Sequence, residues 1–369
     1  MIYHIYWGTS GNAGLYTDEI YQVLKEAGYT QKAFVSYYYP FNYGEKVFFK
    51  RTEMEHCKYY GATRRVIQAF ELLIALIRIL LKGKKDKPQI VNYSYISKGN
   101  YVILWFLQKL KRSTQCKLVI TCHDVEPFAR NKVEYERELA IKRKIYSLAD
   151  YYLIHNSNSR RDLLNLFQVE PTRVLEHLFP LMDLTKLDRN NSEVDLLYDF
   201  LFIGHLRREK GVEFLFNTWP VFHQLQPQAR LCIAGNPSYY KDYIDSKKKE
   251  CEENGIVLKM GFVSDEDYIF LVKSARCILF PYLSGTNSGV ISTVVSMDKS
   301  VITSDIDMFA CNPLVPKDCM FNVGSEKAFV DILQKVFSGQ SVSSNRDLLI
   351  NYRKVFSEQV ERVYSSIID

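Results

Sequence analysis

The sequence predicts an α/β protein built from two doubly wound parallel-sheet domains. Short, almost continuously apolar segments alternate with longer segments in which apolar residues recur at helical spacing, as in parallel sheets covered by helices. This scheme runs once before a stretch rich in Asp, Asn and Ser, and again after it. A chain of 369 residues is long enough for two such domains.

Each half supplies its own series of elements. In the first half, apolar composition predicts strands at Ile2–Trp7, Ala33–Tyr37, Ile90–Tyr93, Lys117–Cys122, Tyr151–His155 and Arg173–Glu176. Helical periodicity predicts helices between them, at Leu15–Ala27, Arg64–Leu81, Tyr101–Leu110, Lys132–Leu148 and Ser159–Leu166. In the second half, strands are expected at Phe200–Ile203, Arg230–Ala234, Val257–Met260, Cys277–Phe280, Ser300–Thr303 and Met320–Val323.

The break between the halves, Leu178–Asp199, is polar and contains Pro180. We therefore expect a first domain at residues 1–180, a linker at 181–198 and a second domain at 199–345, with a cleft between the domains. In such sheets, ligands bind in the turns that follow the carboxyl ends of strands. Residues that bind or act on a ligand are therefore expected in those turns.

Composition favours a cytoplasmic protein. The net charge of +6 is too small to predict a nucleic-acid partner. The eight cysteines show no C-x-x-C pair and no metal-ligand spacing, as expected for reduced cysteines in a cytosolic protein. The first residues, MIYHIYWG, lack the segments of a signal peptide, so none is expected.

A glycine-rich turn, WGTSGNAG at Trp7–Gly14, follows the first strand candidate. Glycines let the backbone approach a ligand closely and adopt positive φ. The spacing differs from the G-x-G-x-x-G dinucleotide fingerprint. We favour a ligand-facing loop, with a plain tight turn as the alternative.

Three ionisable residues, His123, Asp124 and Glu126, come directly after the strand candidate Lys117–Cys122. Histidine serves as acid, base or hydrogen-bond donor near neutral pH. Their place at the end of a central strand favours a functional site over an ordinary surface turn. His177 also follows a strand, and it either faces the cleft or is solvated in the linker.

Two strand-to-helix turns of the second half have the features of an anion site. The first, GHLRREKG at Gly204–Gly211, holds four basic or potentially basic residues. The second, Phe280–Thr293, is rich in small polar residues and leads into a helix. Helix N-termini and basic side chains both bind phosphate oxygens. The first turn alone is equally well explained as a solvated charged turn, but the two together predict a diphosphate pocket.

These stretches resemble the GT-B-fold glycosyltransferases, and within them glycosyltransferase family 4. FLFIGHLRREKGVEFLF is similar to the family's G-x-[IL]-R-x-x-K-G turn, the stretch from Phe262 to Asp305 to its donor-site region, and TCHDVEPF to the H-D-x-x-P turn of a bacterial branch. The resemblance covers most of the chain and is strongest in the second half. It implies two Rossmann-like domains facing a cleft, with a final helix, residues 346–369, packed back toward the first domain.

The resemblance also implies a nucleotide-sugar donor held mainly by the second domain, with no metal ion or other cofactor. Arg207 and Lys210 are then expected to bind the donor diphosphate and stabilise the leaving group, while His123 contacts the sugar. The implied donor-binding residues are Gly11, Gly204, Arg207, Lys210, Ser288, Gly289, Val290 and Thr293. Catalytic candidates are His123, Asp124, Arg207 and Lys210, and acceptor-side candidates are Asn12, Glu126 and His177.

The sequence departs from the family at the donor site. Many members carry two glutamates, one holding the ribose and one facing the sugar, at the places occupied here by Gly285 and Thr293. The SGV sequence at Ser288–Val290 matches a branch that also tends to lack them, which favours an active enzyme. His205 stands where relatives usually have Arg, and Arg207 is expected to serve instead.

The implied function is hexosyl transfer from a nucleoside-diphosphate sugar to a glycan or lipid-linked saccharide, with retention, in bacterial surface-polysaccharide synthesis such as O-antigen or capsule. One alternative is an inverting transferase, which needs a base such as Asp124 or His123. Another is a nucleotide-sugar epimerase, although the second domain has few carboxylates at its strand ends. A third is a catalytically degenerate partner or scaffold subunit.

The helix candidate Arg64–Leu81 is followed by the basic stretch KGKKDK at Lys82–Lys87. Apolar surface beside basic residues associates with anionic lipid, which predicts weak peripheral association with the inner face of the cell membrane. A sheet-covering helix with a solvated basic tail is the competing interpretation.

Overall fold

The computed structural model describes residues 1–8, 12–53, 57–94, 101–123, 125–127, 131–188, 194–237, 240–285, 289–339 and 346–368. The chain divides into two compact units, one formed by Met1–Pro180 with Arg353–Asp369, the other by Leu181–Tyr352. The division falls at the start of the polar linker that separates the two series of elements in the sequence.

The first unit is built on a parallel sheet with the order β3-β2-β1-β4-β5-β6-β7. Its strands are β1 (Ile2–Ile5), β2 (Gln31–Ser36), β3 (Glu45–Phe48), β4 (Ile90–Tyr93), β5 (Lys117–Thr121), β6 (Tyr151–Ile154) and β7 (Val174–Glu176). The helices are α1 (Asn12–Glu26), α2 (Gly61–Asp86), α3 (Tyr101–Thr114), α4 (Lys132–Tyr146) and α5 (Ser157–Phe167). Strands β1, β4, β5 and β6 are almost wholly buried, which explains their apolar composition.

The second unit repeats this plan with the order β10-β9-β8-β11-β12-β13, again with parallel pairing. Its strands are β8 (Tyr198–Ile203), β9 (Leu231–Gly235), β10 (Ile256–Met260), β11 (Ala275–Phe280), β12 (Ser300–Ser304) and β13 (Met320–Phe321). Its helices are α6 (Val212–Leu225), α7 (Lys241–Ser246), α8 (Lys248–Glu253), α9 (Asp265–Lys273), α10 (Gly289–Ser296), α11 (Asp307–Ala310) and α12 (Glu326–Phe337). The predicted fold class, two doubly wound parallel sheets, is confirmed.

The final helix, α13 (Arg346–Ile368), begins in the second unit, and its residues from Arg353 onward belong to the first. Tyr364 is fully buried, and its hydroxyl accepts a hydrogen bond from Asn92 Nδ2 at 2.8 Å. Gln359 Oε1 accepts the backbone N–H of Leu178 at 2.7 Å. These contacts fix the end of the chain to strand β4 and to the segment after β7.

Two elements differ from the sequence-based expectation. Strand β3 was not predicted, because Glu45–Phe48 is short and lies at the sheet edge with only Phe48 fully buried. Helix α2 does not end at Leu81 but continues through Lys82, Lys84 and Lys85 to Asp86. Lys87 then takes a left-handed conformation, with its N–H donating to Gly83 O at 2.8 Å. Most of the predicted basic tail is therefore helical.

Candidate functional site

The turn after β8 holds its basic residues on a tightly fixed backbone. Gly204 leaves the strand at φ 138°, and the fully buried Leu206 donates its N–H to Asn236 O at 2.9 Å. A short 3-10 turn, Arg208–Lys210, then leads to Gly211, whose φ of 74° starts α6. Arg207 and Lys210 are thus carried on a frame that is anchored at both ends.

This turn directly contacts the turn that follows β11. A Cβ atom on Gly211 would lie 1.8 Å from the carbonyl oxygen of Pro281, so only glycine fits there. Leu283 N–H also donates to Glu209 O at 2.9 Å. Because β8 and β11 are neighbours from which the chain winds outward in opposite directions, both turns lie at the strand-order switch where α/β sheets bind ligands.

Lys210 is the most strongly perturbed basic residue of this turn. Its Nζ lies 3.8 Å from the centre of the Tyr282 ring, a close cation–π contact. Burial lowers the pKa of Lys210 to about 8, with Glu209 raising it and Arg207 lowering it further. A partly desolvated ammonium at this position gains more from an incoming phosphate than a solvated one does.

The other basic residues are more exposed. Arg207 Nη1 lies 3.7 Å from Glu209 Oε1 and leaves about half of the side chain in solvent. Arg208, three-quarters exposed, lies at 4.0 Å from a carboxylate oxygen of Glu213. The pKa of His205 is lowered by partial burial and then by the positive charges of Arg207 and Lys210. The turn can therefore present two cations, from Arg207 and Lys210, to one anion.

The predicted phosphate-binding segment before α10 is described only in part. Ser288 lies outside the described residues, whereas Gly289 and Val290 form the first turn of α10 and are partly exposed. Thr293 is fully buried, and its hydroxyl donates to Gly289 O at 3.0 Å. Its side chain thus packs within α10, and contact between Thr293 and a donor stays a prediction from the sequence.

The space beside Gly285 is limited by Met308. A Cβ on Gly285 would lie 3.1 Å from Met308 Cε and 3.2 Å from its Sδ. A larger side chain here therefore requires Met308 to move. Neither of the two positions that carry glutamate in many relatives offers a carboxylate in this unit.

In the first unit, three histidines gather at the carboxyl ends of neighbouring strands. His123 follows β5, His155 follows β6 and His177 follows β7. The rings of His123 and His155 are 5.4 Å apart, and those of His155 and His177 are 4.8 Å apart. Tyr16 of α1 contacts all three rings. We call Tyr16 and these histidines the histidine cluster.

Hydrogen bonds identify the protonation state of His177. Its Nδ1 lies 2.7 Å from Leu178 O, which can only accept, so Nδ1 carries the proton. Nε2 then accepts from the Tyr16 hydroxyl at 3.2 Å. Burial lowers the pKa of His177 to about 4, in agreement with a neutral ring. Its exposure of 1% excludes the predicted solvated linker histidine.

The remaining candidates of the first unit have different positions. Gly11 and Asp124 lie outside the described residues, and Asn12 begins α1 with its side chain outside that description. Glu126 is exposed. The sequence does not identify His155 as a candidate, because this residue is the last one of the predicted strand Tyr151–His155. The signal was its position after an apolar strand, the same signal that identified His123.

The histidine cluster predicts an acid-sensitive first unit. Burial lowers the pKa of His123 to about 4 and that of His155 well below its usual value, and neighbouring histidines lower both further. The folded state therefore binds fewer protons than the unfolded chain, so stability present above pH 6.5 is lost as pH falls toward 4. Each ring that stays neutral contributes a slope of up to about 1.4 kcal/mol per pH unit.

Urea unfolding at pH 7 and pH 5 measures this slope. His155→Phe removes one titrating ring from the cluster and should make the pH dependence shallower by up to that amount. The control is His223→Gln, on α6 in the other unit, which removes a histidine outside the cluster. Equal slopes for the wild type and His155→Phe would contradict the assignment.

Among the described residues, no group of three or more His, Cys, Asp or Glu side chains is arranged to hold a metal ion. In the same part of the chain no helix is long and apolar enough to cross a membrane, α2 with its 26 residues included.

Comparison with known proteins agrees with this architecture. A family profile described as glycosyl transferases group 1 matches residues 198–338. No curated protein matches the sequence. Sucrose-phosphate synthase from Thermosynechococcus elongatus superposes with a TM-score of 0.62 at 12% identity, covering 100% of this chain and 99% of that one.

Two further solved structures are similar over nearly their whole length. Lipopolysaccharide outer core galactosyltransferase WaaB in its apo form has a TM-score of 0.58 at 13% identity, with 99% of both chains covered. HepE of Anabaena in complex with UDP-glucose has a TM-score of 0.58 at 12% identity, again with 99% of both chains covered. At these identities the likeness shows the fold alone.

The two parallel α/β units and the profile match together define a glycosyltransferase of the GT-B fold. The protein contains a glycosyl transferases group 1 domain, the domain of glycosyltransferase family 4, at residues 198–338. It transfers a sugar from a nucleotide-sugar donor.

Proposed function

We propose that the protein transfers a hexosyl group from a nucleoside-diphosphate sugar to a glycan or lipid-linked saccharide, with retention, in surface-polysaccharide synthesis. One observation carries the donor assignment. Arg207 and the partly desolvated Lys210 stand where two strand-end turns touch, at the strand-order switch of the second sheet. Two cations at such a position suit a diphosphate.

The chemical role of this site is stabilisation of the leaving group. As the bond between the sugar and the diphosphate breaks, negative charge grows on the β-phosphate, and Lys210 and Arg207 offset it. The first-turn N–H groups of α10, at Gly289 and Val290, suit the same phosphates because such groups lack an acceptor within the helix. Gly204 lies at the end of β8 with a φ of 138°, a backbone conformation that glycine adopts readily, and it thereby lets the chain turn into the basic segment.

Solved structures of the same fold guide the choice of donor and pathway. HepE of Anabaena was solved with UDP-glucose, and a trehalose-6-phosphate protein from E. coli with UDP-2-fluoro glucose. A uridine-diphosphate hexose is therefore our first candidate. The name of WaaB refers to the lipopolysaccharide outer core, which supports an acceptor in a surface polysaccharide.

For the first unit we propose narrower roles than the sequence suggested. His123 stays the candidate for contact with the sugar, and Glu126 is an exposed acceptor-side candidate. Gly11, Asn12 and Asp124 stay candidates from the sequence alone. His177 is assigned to packing, since both of its ring nitrogens bond within the first unit.

The test is a calorimetric screen of UDP, GDP, dTDP and CMP sugars, followed by NMR of the product anomer with the donor that binds. We expect one donor to bind, and its affinity to fall in Arg207→Ala. A product with retained configuration supports the proposed mechanism, and an inverted product contradicts it. If no donor binds, the scaffold alternative is favoured. Gly285 and Thr293 agree with that alternative, because they occupy the two positions at which many relatives carry glutamate.

A further inference from the structure

Helix α2 exposes an apolar stripe on the face opposite its core contacts. Its exposed large side chains fall within an arc of about 100° around the helix axis, and they are Val66, Phe70, Leu73, Ile74, Ile77 and Leu81. The buried residues of the helix, Ala75, Leu76, Ile79 and Gly83, lie on the other side. An exposed apolar area of this extent marks an interaction surface.

Helix α3 extends this surface. Tyr101, Val102 and Trp105 are exposed, with Trp105 38% accessible. The ends of the two helices together line a groove of about 490 Å³, formed by Ile77, Leu80, Leu81, Lys84, Trp105, Lys109, Arg112 and Ser113. One part of the groove is apolar, and three cations form its other part. We call this surface the α2–α3 face.

The positive charge of the chain is concentrated on these two helices. They contain nine Lys or Arg and two Asp or Glu, a net charge of +7, whereas the whole chain carries +6. The remainder of the protein is therefore nearly neutral. Both acids bond within the unit: Glu71 accepts from Thr52 Oγ1 at 2.6 Å, and Asp86 accepts from Tyr3 and Lys32.

Among the residues that the structure describes, none neutralises the three cations of the groove. Lys82 pairs with Glu45, and Lys111 pairs with Asp150 at 2.7 Å. By contrast, Lys84, Lys109 and Arg112 are exposed and form no ion pair with any residue that the structure describes. The face thus combines unpaired cations with unpartnered apolar side chains.

We propose that the α2–α3 face docks on an anionic phospholipid membrane, with its apolar stripe at the acyl boundary and Lys84, Lys109 and Arg112 on lipid phosphates. Exposed apolar area and cations on one surface are the two features that interfacial binding requires. Charge also argues against a second copy as the occupant, because two such faces would bring the unpaired cations Lys84, Lys109 and Arg112 of each copy against each other. Docking does not depend on the donor chemistry of the second unit.

Co-sedimentation with phosphatidylcholine vesicles, with and without phosphatidylglycerol, tests the proposal. The wild type should bind only the vesicles that contain phosphatidylglycerol. Reversing the three groove cations, as Lys84→Glu, Lys109→Glu and Arg112→Glu together, should reduce partitioning by at least about a hundredfold. The matched control reverses three exposed lysines of the second unit, Lys249, Lys327 and Lys335, and should retain binding.

Fluorescence supplies an independent readout. Of the three tryptophans, Trp219 is fully buried, Trp7 is partly buried and Trp105 is exposed. A blue shift on vesicle binding that disappears in Trp105→Phe therefore reports the groove. The proposal would be overturned if the two triple variants partitioned equally onto vesicles, or if the wild type bound vesicles with and without phosphatidylglycerol equally well. It would also be overturned if the protein formed an oligomer that the double substitution Ile77→Ser and Leu81→Ser dissociates. Donor binding by calorimetry should be the same in all these variants, so failure of docking is distinct from failure of the transferase assignment.

Discussion

Replacing Lys210 with alanine is expected to lower kcat/KM for sugar transfer by about 10²–10³, because a preorganised charge is then missing where the leaving diphosphate gains charge. The ammonium is already partly desolvated and held 3.8 Å from the ring centre of Tyr282, so little reorganisation is needed when the donor binds. Initial rates with the donor found by calorimetry measure the effect. The loss should be divided between kcat, since charge develops on the leaving group in the transition state, and donor affinity, since the bound diphosphate already carries negative charge.

The pH dependence of donor affinity gives a sharper form of this prediction. Burial holds the pKa of Lys210 at about 8 in the free enzyme, so the side chain is charged below that pH and loses its proton above it. Donor affinity should therefore decline as pH rises through about 8. Lys210→Arg, with a guanidinium that stays charged, should remove this decline even if its affinity at pH 7 is lower.

The control for Lys210 lies in the same turn. Arg208→Ala removes a side chain that is three-quarters exposed and 4.0 Å from its nearest carboxylate, so it should change kcat/KM by less than about threefold. If Arg208→Ala and Lys210→Ala reduce activity equally, the turn acts through its overall charge. The specific role of Lys210 would then be wrong.

Among Gly→Ala substitutions in the two turns that follow β8 and β11, Gly211→Ala is expected to be the most destabilising. The new Cβ would lie 1.8 Å from Pro281 O, and the residue would keep a φ of 74°. The turns after β8 and β11 must then separate, which costs about 2 kcal/mol or more beyond the strain of the backbone conformation. Urea unfolding measures the stability, and calorimetry measures the expected loss of donor affinity.

Gly324 provides a matched control for the backbone conformation. It has nearly the same φ, 77°, and a Cβ there would meet nothing within 4 Å. Gly324→Ala should therefore cost only the left-handed strain, about 1–2 kcal/mol. A Gly211→Ala protein no less stable than Gly324→Ala would show that the two turns are not in the contact described.

The strands of the fold were largely predictable from the sequence. Apolar runs such as Lys117–Thr121 are buried on both faces, and burial of that kind leaves a local signature in composition. Strand β3 has no such signature, because it lies at the sheet edge and only one of its residues, Phe48, is buried and has to be apolar. The length of α2 was underestimated, since lysines that continue a helix look like a solvated tail when its contacts are unknown.

For the candidate site, the sequence by itself determined the residue types and their places at strand ends. It identified the basic turn at Gly204–Gly211 and the small-polar turn after β11, and it placed His123 after β5. Only the tertiary structure decided which of these meet: Gly211 against Pro281, Lys210 against Tyr282, and the unforeseen His155 beside His123. It also buried His177 and Thr293. The physical reason is that periodicity and composition are local properties, whereas contact and desolvation depend on the order in which strands of distant sequence pair.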